Sequence, residues 1–218
     1  MKQAHVLLSL FVGLVVMGMV GTARAELILD LDPGGVAGPC GFGCGNVAGA
    51  TFGWGFEVTS AIDIDGIGVW DADGDGIGTT VEAGLWAADG TLLASATISD
   101  ASMQVASNGD GFWLFEDIGL QSLAPGFYVI GNVFFDDVPL AQFFAPFTLS
   151  PSIANIQERV NDVPDSGLAF PSVALSDDQG IFGPTLRLAT QVPEPSSLAL
   201  FVIALGGLGF SLMRGWRA

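Results

Sequence analysis

Thr51-Phe52-Gly53-Trp54-Gly55-Phe56-Glu57-Val58 alternates large apolar residues with glycine, threonine and glutamate. A period of two places Phe52, Trp54, Phe56 and Val58 on one face of a strand and leaves the other face small or polar. On a helix the same four side chains would spiral around the axis instead of forming one stripe. The stretch therefore reads as a β-strand with one buried face.

The chain on either side keeps this period. Glu26–Leu31 reads as a first strand. Ile62 and Ile64 oppose Asp63 and Asp65, and Val81, Ala83 and Leu85 oppose Glu82, Gly84 and Trp86. Ala88-Asp89-Gly90 is a turn signal leading into Thr91–Ile98, and together they predict a hairpin. Phe112–Ile118 follows, then Ala124-Pro125-Gly126 turns into Phe127–Phe135; Phe143–Leu149 and Leu186–Thr190 are later candidates. No sustained helical period and no solenoid-length repeat interrupts them. The fold class this predicts is all-β, a single antiparallel β-sandwich of jelly-roll type.

The two ends differ from this body. Residues 1–25 have a lysine at position 2, an apolar core from Val6 to Val20, and Ala23-Arg24-Ala25 before Glu26. That is the layout of a secretory signal with an A-x-A cleavage site, so the mature chain is expected to begin at Glu26. At the other end, Ser196 to Met213 carries no charge. At ~1.5 Å per residue such a helix reaches ~27 Å, close to the ~30 Å hydrocarbon layer. Arg214 and Arg217 follow it directly and would stay on the cytoplasmic side. The expected domains are a signal peptide over 1–25, one ectodomain over 26–191, and a tail over 192–218 with a transmembrane helix at about 196–213.

Charge is distributed unevenly. All 23 Asp and Glu lie between Glu26 and Glu194, but of the six Lys and Arg only Arg159 and Arg187 do, so this body carries 2 − 23 = −21. It has no lysine, and the one histidine, His5, lies in the leader. A body so acidic repels nucleic acid and attracts cations, and it keeps an exported protein dispersed. Ser-His-Asp, Cys-His and lysine chemistry are excluded from it; only a two-carboxylate mechanism stays open, and with this many acids no pair stands out. The chain is not expected to be an enzyme.

Three local features carry candidate chemistry. Asp71-Ala72-Asp73-Gly74-Asp75-Gly76, with Glu82 six residues on, fits the calcium-loop spacing at every fixed position. Asp71, Asp73, Asp75 and Glu82 with the Ile77 carbonyl would be the calcium ligands; the other reading is a solvated Asp-Gly turn. Cys40 and Cys44 are the only cysteines and could close a small disulfide ring in an oxidising compartment. Trp54, Trp70, Trp86, Trp113 and Tyr128 are candidates for a glycan-stacking platform or for core packing, and Trp86 is the best platform because it faces away from Val81, Ala83 and Leu85.

Pro193-Glu194-Pro195, the apolar span and the basic end with Arg214 and Arg217 occur in the order of the PEP-CTERM sorting signal, which this tail resembles. The resemblance implies export through the Sec machinery, tethering in the inner membrane, and processing by exosortase near the Pro-Glu-Pro. It also implies an association with exopolysaccharide and biofilm. Gly66-Ile67-Gly68-Val69-Trp70-Asp71 and Val81–Ala94 are similar to a β-sandwich ectodomain recurring in PEP-CTERM cargo, which implies the fold and no catalytic residue. The functional expectation is a surface or extracellular-matrix protein with a structural or adhesive role; the alternative is a calcium-dependent carbohydrate-binding module.

Overall fold

A computed structural model of the chain describes residues 25–33, 37–38, 49–71, 74–109, 111–133, 140–141, 146–161, 163–174 and 183–189. The signal peptide, Cys40 and Cys44, Asp73 and the sorting tail lie outside the described residues. Among the described residues no helix is long and apolar enough to cross a membrane.

In chain order the strands are β1 (Leu29–Leu31), β2 (Ala37–Gly38), β3 (Thr51–Val58), β4 (Ile62–Asp71), β5 (Val81–Ala87), β6 (Leu92–Ile98), β7 (Met103–Ala106), β8 (Phe112–Leu123), β9 (Gly126–Val133), β10 (Leu140–Ala141), β11 (Phe147–Leu149), β12 (Ile153–Asn161), β13 (Val173–Ala174) and β14 (Pro184–Leu188). The all-β class read from the alternation is the class observed, and the strand pairs described are antiparallel.

Two sheets form the body. One has six strands in the order β13-β12-β3-β9-β5-β6; the other has four, β14-β4-β8-β7. Two short pairs, β1-β11 and β10-β2, accompany them. Trp54, Phe56, Val58, Ile130, Val81, Ala83 and Leu85 from the larger sheet meet Ile64, Ile67, Val69, Leu114 and Leu186 from the smaller one in a single core cluster. Directly paired residues share a face. The register Glu158↔Trp54↔Ile130↔Leu85 therefore runs along the inner face of the six-stranded sheet. Trp54 links the layers: its Nε1–H donates to the Pro184 carbonyl at 2.8 Å, a buried bond between β3 and the start of β14.

The hairpin predicted around Asp89-Gly90 forms between β5 and β6. The Ala87 and Thr91 backbones bond at 2.9 Å, and the Asp89 carboxylate accepts the Thr91 N–H at 2.9 Å. Other boundaries differ from expectation for identifiable reasons. The first strand is Leu29–Leu31, shorter than Glu26–Leu31, and Leu27 makes only an isolated bridge to Arg187. β4 runs on through Gly66-Ile67-Gly68, because Phe115 packs over Gly68 and the Arg187 guanidinium lies against Gly66 where side chains would stand. β8 extends past Ile118 to Leu123 along β4. β7, β12 and β13 lack clean alternation in sequence. β12 is bulged between Ala154 and Gln157, with Asn155 at φ 47°.

Candidate functional site

Asp71 ends β4 and is 1% exposed. Its Oδ1 accepts the Gly74 N–H at 3.0 Å and its Oδ2 accepts the Gly76 N–H at 3.2 Å. Gly76 takes φ +105°, where a side chain would be strained and would also strike the Asp100 carboxylate. That carboxylate completes the loop: Asp100 Oδ1 accepts the Ile77 N–H at 2.8 Å and the Gly78 N–H at 3.2 Å. Two acids thus bind four backbone donors and fold the segment back on itself, while Ile77 is buried at 2% in the core. Sequence spacing did not reveal Asp100, which sits 23 residues downstream of the N–H it holds.

The expected calcium ligands are divided by this geometry. Asp71 and the Ile77 backbone lie within the loop, Asp75 is exposed beside them, and Asp73 is outside the described residues. Glu82 is exposed on β5, opposite Thr97 of β6 in the six-stranded sheet, whereas Asp71 ends a strand of the four-stranded sheet. Among the described residues, no three His, Cys, Asp or Glu side chains gather as a metal site requires.

Trp86 is not an open platform, which corrects the sequence reading. It is 3% exposed, and its ring folds over Gly84, whose Cβ would stand 2.8 Å from it. Phe170 then packs edge-on against it, with centroids 6.2 Å apart. The alternation placed Trp86 correctly on the face away from the core. It could not show that residues 163–174 return across that face. This strap is held by Thr51, whose hydroxyl donates to the Gly167 carbonyl at 2.9 Å and accepts the Ala169 N–H at 3.0 Å. Trp54, Trp70 and Trp113 are core residues, Trp70 and Trp113 meeting edge-to-face at 5.0 Å.

Asp30, Arg187 and Arg159 are also engaged within the fold. Asp30 is buried and accepts the Ser107 hydroxyl at 2.5 Å, the Asn108 N–H at 2.9 Å and the Trp113 Nε1–H at 3.0 Å. Arg187 donates from Nε to Asp65 at 2.6 Å and from Nη2 to Asp117, and its guanidinium lies over the Phe115 ring at 5.7 Å. Burial alone would lower its pKa; the bonds to Asp117 and Asp65 outweigh that and raise it. Arg159 lies over the Phe127 ring at 5.2 Å, and burial lowers its pKa. Glu82 and Asp165 share a cleft of ≈ 480 Å³ with Thr80 and Thr97, and Glu26, Asp30 and Asn108 line another of ≈ 310 Å³.

No curated protein and no solved structure gives a significant match to this chain. The match that does exist lies in the tail. The family model of the PEP-CTERM protein-sorting motif aligns with residues 191–215, a stretch that includes Pro193, Glu194, Pro195 and Arg214 and stops short of Arg217. The chain thus bears a PEP-CTERM sorting signal, joined to an all-β body.

Proposed function

We propose that this chain is exported, held in the inner membrane by its tail, processed by exosortase, and placed at the cell surface or in the extracellular matrix, where its acidic β-body has a structural or adhesive role alongside exopolysaccharide. The observation that carries the proposal is the sorting motif at residues 191–215 behind a body of the opposite character. That body supports a structural rather than a catalytic role. Asp30, Asp71, Asp100 and Arg187 are each spent on holding the chain in place. Its charge supports life outside the cell, where a large negative surplus keeps a protein dispersed and draws in cations.

Deletion of residues 193–218 tests the sorting step. The expected result is a chain released to the medium and no longer shortened at its C-terminus. Unchanged location and unchanged mass would overturn the proposal.

A further inference from the structure

The chain leaves the folded body at one end of the two sheets. The Ala189 N–H donates to the Asp63 carbonyl at 2.9 Å, and the Leu188 N–H donates to the Glu26 carbonyl at 2.8 Å. Leu188 pairs with Ile64 near the start of β4, whereas Pro184 pairs with Val69 near its end. The same end gathers the connections 59–61, 124–125 and 150–152, because Val58 pairs with both Gly126 and Ile153, and Ile62 pairs with Leu123. Two of these connections are joined, the Thr59 N–H donating to the Ser152 carbonyl at 2.8 Å. Thr59, Ser60, Ala61, Ala124, Pro125 and Pro151 are exposed, and none of the three connections carries a charge. Glu26 beside the exit and Asp89 in the β5–β6 turn are the acids of the described connections at this end. Asp71, Asp75, Asp100 and Asp165 lie at the other end, where Asp71 pairs with Phe112, Asp100 holds Ile77, and Asp165 stands against Gly49 just before β3.

We propose that, before the tail is cut, a short tether seats this uncharged end on the lipid headgroups of the membrane and keeps the acidic end pointing away. Seven residues separate Ala189 from Ser196, where the uncharged tail begins. Fully extended, they span at most about 25 Å. β4 has ten residues and is roughly 30 Å long at ~3.3 Å per residue. A body turned acid end down would hold Ala189 about that far above the lipid, beyond the reach of the tether. Charge favours the same orientation. Anionic headgroups repel carboxylates, and the neutral connections approach them without that cost. The inference rests on the tail spanning the membrane, as proposed above, and adds which surface of the body the membrane meets.

Quenching in vesicles reads the orientation. The full chain, with Cys40 and Cys44 replaced by serine, carries a fluorophore at Ser60→Cys or at Thr79→Cys, an exposed residue of the acidic end. It is reconstituted in phosphatidylethanolamine and phosphatidylglycerol vesicles with nitroxide-labelled headgroups. Quenching several-fold stronger at position 60 than at position 79 is expected. Inserting about 20 glycine and serine residues after Ala189 lets the body turn freely and should remove the difference. Equal quenching at the two positions, in protein that floats with the vesicles, overturns the inference and leaves the membrane tail standing. Protein that does not float overturns the tail reading and this inference with it. A difference that survives the long insert overturns the tether as its cause.

Discussion

Trp113 donates its indole N–H to Oδ1 of Asp30, 3.0 Å away across 83 residues of chain. The bond fixes β1 against β8, and the same carboxylate also holds Ser107 and Asn108. Replacing Asp30 with alanine would leave the Asn108 and Trp113 N–H groups without this acceptor, while the Ser107 hydroxyl keeps the Leu31 carbonyl at 3.1 Å. An orphaned buried donor costs about 1–3 kcal/mol, and the losses are not fully additive. Asp30→Ala is therefore expected to lose about 2–4 kcal/mol, a fall of roughly 4–16 °C in thermal midpoint for a body this size. Asp30→Asn should lose less, because one oxygen remains to accept while its amide faces the Asn108 N–H donor to donor. Equal stability of all three proteins by calorimetry would contradict the account.

The loop after β4 is closed by carboxylates on backbone N–H groups, and this decides what a cation can add. Asp100→Ala removes the acceptor for Ile77 and Gly78 and is expected to cost about 1–3 kcal/mol. If the loop is a turn that holds no metal, calcium and magnesium should raise the melting point equally, in the wild type and in Asp75→Ala alike, by screening a highly acidic body. A rise specific to calcium and lost in Asp75→Ala would instead make the loop a metal site. At about 10 mM calcium, a dissociation constant of ~0.1–1 mM would add roughly 1.4–2.7 kcal/mol, well above the error of a thermal melt.

How far the sequence foretold these arrangements depended on whether the determinant was local. β3 could be read residue by residue, because its pairing partners β12 and β9 accept the face its alternation presents. β12 could not: Ile153-Ala154-Asn155-Ile156-Gln157-Glu158-Arg159-Val160-Asn161 mixes polar and apolar residues, and its bulge breaks the period. The Asp71 loop was visible as a motif, but half of its acceptors come from Asp100, which no spacing rule connects to it. Trp86 was assigned to the correct face and the wrong environment. Its cover, Phe170, lies 84 residues along the chain, and its contact is created only by the fold.

Arg187 links three neighbours on the smaller sheet, and their exposures rank the expected losses. Asp117 is 81% exposed, so Asp117→Ala should cost under about 1 kcal/mol and less in high salt. Arg187→Ala also strips the cover from Phe115 and leaves the half-buried Asp65 unpaired, and about 2–3 kcal/mol is expected. Arg187→Lys should recover only part, since an ammonium cannot reach both acids with a planar fork. The pH dependence has a definite sign. A raised guanidinium pKa gives stability that is fully present below its unfolded value and is lost only above it. The difference between wild type and Arg187→Ala should thus not fall as pH rises from 6 to 9. A loss in that range would mean that some other group carries the bridge.

The strap over the larger sheet meets a row of glycines at Gly131, where Pro171 comes close. Gly53, Gly131 and Gly84 stand in register across β3, β9 and β5, so three adjacent strands present no side chain at that level. A Cβ on Gly53 would fall 1.9 Å from the Ile130 carbonyl oxygen, which rigid backbone cannot accommodate. One on Gly131 would stand 3.0 Å from the Phe52 carbonyl and 3.2 Å from Pro171, so the strap itself would have to lift. Gly53→Ala is expected to destabilise by more than ~3 kcal/mol, beyond the usual range for a point change. Gly131→Ala should cost less and loosen the strap. Phe170→Ala separates the strap from the sheet: the edge contact with Trp86 goes while the β-ladders stay. Its expected signature is a modest loss of about 1–2 kcal/mol, a red shift in tryptophan emission, greater acrylamide quenching, and faster proteolysis between residues 163 and 172. Unchanged quenching in Phe170→Ala would show that Trp86 is sealed by the sheet alone, and the strap would then be a passenger on a face already closed.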